Sequence, residues 1–153
     1  MTPAIKLLEK QQIIFDVLSY EHDPNWHSFG LEAVEKLALN PTQVFKTLVL
    51  ENAENELIVA ITPVSQQVNL KRLAKAVGSK KVHMAAQQKV ENSTGYVLGG
   101  VSPLGHKKHL KTFIHSSAQQ FTLIYVSAGK RGLEIALKPA DLARLCHAKF
   151  VLF

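Results

Sequence analysis

Apolar residues recur at two spacings along the chain, and the alternation between them divides it into elements. Ile5 and Leu8 form a short helical stripe behind Thr2-Pro3, an N-cap followed by proline at the first helical position, which predicts a helix to about Lys10. Residues 13–20 are rich in β-branched and aromatic side chains and predict a strand, after which residues 22–30 are loop-like. Leu31, Val34, Leu37 and Ala38 return to helical spacing until Asn40-Pro41 stops the helix. The clearest strands cover 44–50 and 57–62, and the polar turn 51–56 between them predicts a hairpin. Asn69 caps a further helix carrying Leu70, Leu73, Ala74 and Val77, with Gly78 at its C-terminal end. Short strands are expected near Val82, near Tyr96, over 112–114, near Tyr125 and over 133–137, with a last helix from Pro139 to about Leu145. Without repeats or linkers, this order predicts one α+β domain over residues 1–153 around a mixed sheet.

Composition narrows the class. At 153 residues and 46% hydrophobic content the chain can bury a core of its own, and nothing in it approaches a disordered composition. Its apolar runs are too short to cross a bilayer, and the opening Met1-Thr2-Pro3-Ala4-Ile5-Lys6 lacks the apolar stretch of a secretion signal. A cytoplasmic location with no membrane partner is expected. Cys146 is the only cysteine, which excludes an internal disulfide and any zinc site built on several thiolates.

The net charge of +6 favours a polyanionic partner, although a basic surface is also an ordinary route to solubility. The cations gather at Lys71, Arg72 and Lys75, at Lys80 and Lys81, at Lys107, Lys108 and Lys111, and at Lys130 and Arg131, mostly beside turns. Clusters of this kind suit phosphates.

Three places carry candidate chemistry. On a strand over 44–50, Lys46 shares a face with Leu48 and Leu50, while Phe45, Thr47 and Val49 face the other way. The lysine that interrupts this apolar row either snorkels from the strand end or aims its ammonium into a pocket, and position alone does not separate the two. The segment 93–105 holds four glycines and Pro103 among apolar residues. It is either a tight loop joining two strands or a backbone cradle for an oxyanion or ribose. Finally, Ser127-Ala128-Gly129-Lys130-Arg131-Gly132 joins two short strands, as a plain basic turn or as a phosphate holder.

Familiar catalytic motifs fail on inspection. His106-Lys107 stands where a phosphate-binding loop opened by Gly100 and Gly105 needs Lys and Ser/Thr. Ser102 is no nucleophile elbow, because Pro103 removes the N–H that would help form the oxyanion hole. His106 and His109 lack companion ligands, so no metal is expected, and they are taken as solvated histidines beside lysines. Cys146, in the last apolar helix, is expected to be a small core residue.

Taken together, Phe45-Lys46-Thr47-Leu48-Val49, Ser93-Thr94-Gly95-Tyr96 through Gly99-Gly100-Val101-Ser102-Pro103-Leu104-Gly105, and Tyr125 through Leu133, with the opening Met1-Thr2-Pro3-Ala4, closely resemble the YbaK family along nearly the whole chain. The resemblance implies the fold of the editing domain inserted in bacterial prolyl-tRNA synthetases, a mixed, barrel-like sheet flanked by helices. It also implies a free-standing deacylase that clears Cys-tRNA(Pro), and Cys-tRNA(Cys), without any cofactor.

By position, the family's important lysine falls on Lys46 and its glycine-proline loop on Gly99, Gly100, Ser102 and Pro103. Tyr20 and Phe29 match pocket residues; Thr47, Ser127, Gly129, Lys130, Arg131 and Glu134 complete the implied substrate-binding set. Glu134 stands where the nearest relatives often carry Asp, which leaves the role of that carboxylate open, and Ala128 stands where they carry Gly. The implied chemistry needs no protein nucleophile, since the substrate's own thiol attacks its ester carbonyl. The alternatives are a non-catalytic tRNA-binding adaptor of prolyl-tRNA synthetase, with which a ternary complex is conceivable, and an Ala-tRNA(Pro) deacylase.

Overall fold

The structure is a computed structural model that describes the backbone of residues 1–153 and every side chain except that of Phe29. Helices α1 (Pro3–Lys10) and α2 (Phe29–Lys36) flank strand β1 (Asp16–Ser19), and the hairpin β2 (Phe45–Asn52) and β3 (Leu57–Pro63) follows. Then come α3 (Leu70–Ala76), β4 (Val82–Met84), α4 (Gln87–Thr94), β5 (Lys111–His115) and a 3-10 turn (Ser116–Gln120). The chain ends in β6 (Ile124–Lys130), β7 (Leu133–Leu137), α5 (Pro139–Cys146) and β8 (Lys149–Val151). Among the described residues no helix is long and apolar enough to cross a membrane.

The strands form a five-stranded sheet in the order β4-β2-β3-β5-β8 and a three-stranded sheet in the order β1-β7-β6. The two sheets meet at a single parallel bridge between Val44 and Tyr125. They do not close into a barrel, so the expected barrel-like sheet is a mixed one left open along that seam.

Period-two alternation explains the larger sheet. Phe45, Val49, Val59, Ile61 and Ile114 face the main core with Ile124, Val126, Ile135 and Leu137 of the smaller sheet. Leu50, Ile58, Ala60 and Phe113 face a second core against Leu73 and Ala74 of α3. Covered on both sides, β3 is buried at almost every position, and each fully buried Leu or Ile contributes about 1.5–3 kcal/mol.

Several expected boundaries shift, for identifiable reasons. The strand expected over 13–20 shortens to β1, because Gln12 (φ 57°) turns left-handed and Ile13 N–H donates back to Leu8 O (3.0 Å), closing α1. The helix expected from Leu31 to Ala38 ends in the same way, with Ala38 left-handed and Leu39 N–H bonded to Val34 O. No strand forms near Tyr96. Instead α4 occupies Gln87–Thr94, a run so polar that only Val90 and the small Ser93 and Thr94 are buried, so no apolar stripe announces it. The basic turn is also shorter than 127–132: β6 runs through Lys130, which pairs with Leu133 past a bulge, leaving Arg131 and Gly132 at the tip.

Candidate active site

Beyond the Val44–Tyr125 bridge no ladder bond joins β2 to β6, and a cavity of about 380 Å³ opens between β2 and the β6–β7 hairpin, within the size range of small-molecule sites. Counting two residues on from the bridge brings Lys46 level with Ser127, and Ser127 pairs directly across the hairpin with Glu134. Lys46, Thr47, Ser127 and Glu134 all line the cavity. The alternation that separates Lys46 from Thr47 does not keep either out, because the cavity runs along β2 from Val44 to Val49.

The electrostatics of these groups differ sharply. Lys46 is half-buried and makes no ion pair among the described residues, and that burial lowers its pKa from the usual lysine value. Glu134 is 7% exposed, and burial alone pushes its carboxyl up to about 8, so it is neutral at pH 7. Its Oε2 and the Thr47 Oγ1 are buried with no hydrogen-bond partner. Tyr20 donates its N–H to Gly132 O (2.9 Å), and its phenol is pushed up to about 12, first by burial and then by Glu134 and Glu32, both ionised at the high pH where the phenol titrates. Ser127 Oγ accepts the Gly129 N–H (3.0 Å).

The glycine loop is pinned from behind. Tyr96 is buried, donates its hydroxyl to Leu104 O (2.6 Å), and packs so closely on Gly129 that a Cβ there would lie 2.3 Å from its ring. Gly99 (φ 90°) faces the cavity, whereas the Gly100 N–H is already taken by Val97 O (3.0 Å) and Gly100 is buried against the hairpin tip. Ser102 and Pro103 lie away from the cavity. Ser102 is fully buried, its Oγ accepting Leu104 N–H (3.2 Å), and Pro103 borders a separate cavity of about 220 Å³.

Gly129 also stays behind the wall, in a supporting position, while Lys130 and Arg131 stand exposed at the mouth, Arg131 donating to Leu98 O (3.2 Å). Phe29's side chain lies outside the described residues.

Two expectations about titratable groups are refined. Cys146 is indeed a core residue: burial pushes its thiol up to about 12 and its Sγ bonds Pro103 O (3.2 Å), far from thiolate chemistry. His106 is not solvated, since its Nε2 bonds Ser102 O (2.6 Å) and burial lowers its pKa, while His109 is exposed.

The sequence pattern missed Glu32. It is fully buried and joins His22 Nδ1 (2.6 Å), Asp23 N–H (2.7 Å) and Lys36 Nζ (3.0 Å), which together hold its pKa below the usual carboxylate value despite burial. Lys36 also reaches Glu21 O and lies over the Tyr20 and Trp26 rings. This network fixes the segment that carries His27 and Ser28 to the cavity wall. The only signal for it was the Glu32/Lys36 spacing of four.

Four resemblances to known proteins bear on this geometry. The family profile of the aminoacyl-tRNA editing domain matches residues 24–145. EbsC of Enterococcus faecalis (strain ATCC 700802 / V583), named for Cys-tRNA(Pro)/Cys-tRNA(Cys) deacylation, is 38% identical over 152 residues, 97% of this chain and 90% of the relative. ProXp-y of Escherichia coli (strain K12), named a multifunctional Ser/Thr-tRNA deacylase, is 29% identical over 103 residues, 67% of this chain and 62% of the relative. A solved structure described as a trans-editing enzyme for prolyl tRNA synthetase aligns with a TM-score of 0.78 over 98% of this chain and 92% of its own, at 18% identity, a likeness of fold.

Proposed function

The chain belongs to the aminoacyl-tRNA editing domain family, and on that footing we propose that it is a cytoplasmic trans-editing deacylase that frees tRNA from wrongly attached cysteine, acting on Cys-tRNA(Pro) and Cys-tRNA(Cys). An error of this kind needs a second site because two small side chains of similar size are poorly separated by one pocket.

The observation that supports this mechanism is the state of the two strand hydroxyls beside Lys46 and Glu134. Thr47 Oγ1 has no partner and Ser127 Oγ is engaged by a backbone N–H, so neither is paired with a base that would activate it. The family resemblance supplies the nucleophile instead, the substrate's own thiol. That thiol loses a proton, the sulfur attacks the ester carbonyl, the C–S bond forms as the C–O bond to the ribose breaks, and the proton passes to the departing ribose oxygen. The products are a cyclic thiolactone and free tRNA.

Lys46, half-buried and unpaired, holds the terminal phosphate or ribose, and Gly99 borders the reacting end, so the protein supplies position and electrostatics. Lys130 and Arg131 at the mouth meet the polynucleotide.

A deacylation panel tests this reading. Cys-tRNA(Pro) is expected to release its amino acid rapidly, Ser-tRNA and Ala-tRNA(Pro) slowly, and S-methyl-Cys-tRNA not at all, with a thiolactone or its trapped derivative detected by mass spectrometry. Equal cleavage of the S-methylated substrate would return the nucleophile to water or protein. Preferential release of serine or alanine would replace the cysteine assignment, and binding without release would mark an adaptor of prolyl-tRNA synthetase.

A further inference from the structure

Buried polar atoms in a folded protein find partners, and the few that do not call for an explanation. Among the described residues two buried side-chain atoms are left over, Thr47 Oγ1 and Glu134 Oε2. They come from different sheets, yet both residues line the same cavity. Resting on the deacylase reading above, we propose that Glu134 and Thr47 form the subsite that binds the α-amino group of the aminoacyl ester, making the free amine a recognised feature of the substrate.

The argument is one of matching donors, acceptors and charge. Both orphan atoms are oxygens that can accept, the Thr47 hydroxyl and a protonated carboxyl being able to donate as well; of the polar groups on an aminoacyl ester the α-ammonium offers the most donors, three, and alone carries a charge that favours ionised Glu134. The cavity is also polarised. Lys46 and Glu134 border it without forming an ion pair, so a cationic wall on β2 faces an acidic one on β7. An aminoacylated 3′ end has the complementary polarity, with phosphate at one end and ammonium at the other.

The remaining groups around Glu134 leave room for that charge. Tyr20 keeps its proton, Glu32 is already satisfied by His22, Asp23 and Lys36, and Lys130 and Arg131 sit exposed at the mouth. The empty Glu134 titrates near 8, close to an α-amine at about 7.7–8.0, so at pH 7 both arrive mostly protonated, and pairing releases one proton to solvent and leaves the other between carboxyl and amine. Anchoring the amine leaves the thiol free to fold onto the carbonyl.

Calorimetry with two non-hydrolysable probes tests the subsite: 3′-cysteinylamino-3′-deoxyadenosine 5′-phosphate, and its 3-mercaptopropionyl counterpart, which lacks only the amine. The intact protein is expected to prefer the amine-bearing probe by at least about 100-fold, as sites built to bond a substrate N–H do. Glu134→Gln and the near-isosteric Thr47→Val should each shrink that preference while leaving the deaminated probe's affinity unchanged, and Glu134→Asp should retain part of it. Melting curves confirm folding. Equal binding of both probes by the intact protein, or an equal loss for both in the variants, overturns the subsite, as does binding of neither. The two failures separate cleanly. Rapid release from Cys-tRNA(Pro) without an amine preference removes only the subsite, whereas an amine preference without release from any aminoacyl-tRNA removes only the deacylase reading.

Discussion

Replacing Glu134 with glutamine removes a titrating carboxyl from a place where its charge is costly, and the consequence for stability has a definite sign. Burial lifts this carboxyl from 4.5 to about 8, so between those values the native state holds a proton that the unfolded chain has released. Stability is therefore greatest below 4.5 and is lost as pH rises towards 8. Each pH unit is worth about 1.4 kcal/mol. At pH 7, about 2.5 units above the unfolded value, the penalty reaches about 3 kcal/mol.

Glutamine keeps the shape without the titration, and because Glu134 Oε2 already lacks a partner the amide adds little new cost. Urea unfolding followed by circular dichroism from pH 5 to 8 should show the variant gaining on the parent by about 1 kcal/mol per pH unit, levelling off as pH nears 8. Burial also lowers the pKa of His106 and His115, which lose stability as pH falls, but both proteins carry them and the difference cancels. A stability difference that stays flat across this range would refute the buried, neutral carboxyl.

Three further outcomes follow from the site. Lys46→Ala should lower kcat/KM for Cys-tRNA(Pro) by about 100-fold or more while leaving the melting temperature nearly unchanged, since the half-buried lysine has no ion-pair partner to lose; near-normal turnover in a folded variant would remove it from the machinery. Neutralising both Lys130 and Arg131 should reduce the slope of log tRNA affinity against log salt by about 2, one per phosphate contact, whereas neutralising Lys71 and Arg72 on α3 should not. Gly129→Ala should destabilise by about 2–4 kcal/mol in thermal unfolding, because the residue sits at φ 102° and its new Cβ would lie 2.3 Å from the Tyr96 ring. A neutral result there would mean Tyr96 does not pin the glycine loop.

Local signals made much of the fold legible. The Thr2-Pro3 start, the Asn69 cap, the hairpin through residues 51–56 and the strand over 133–137 all reappear, because each depends on hydrogen bonds or alternation within a few residues. Helix α4 was not legible, since a run with one buried large apolar side chain is held helical by its neighbours rather than by its own pattern.

The site divides along the same line. Residue types and spacing were enough to single out Lys46, the glycine loop and the 127–134 hairpin as the candidates. Which members face the cavity was decided only by tertiary packing. Tyr96 holds the loop so that Gly99 faces the cavity while Ser102 is buried and Pro103 borders a separate one.

Glu134 shows the limit most clearly. On a short strand of alternating pattern its carboxylate belongs to an ordinary solvated face. It is buried because β1 and β6 flank it on either side, opposite Leu18 and Ser127, and Tyr20 and β2 wall the cavity it borders. A carboxyl's ionisation depends on the water around it, and that water was removed by segments distant in sequence that no local pattern describes.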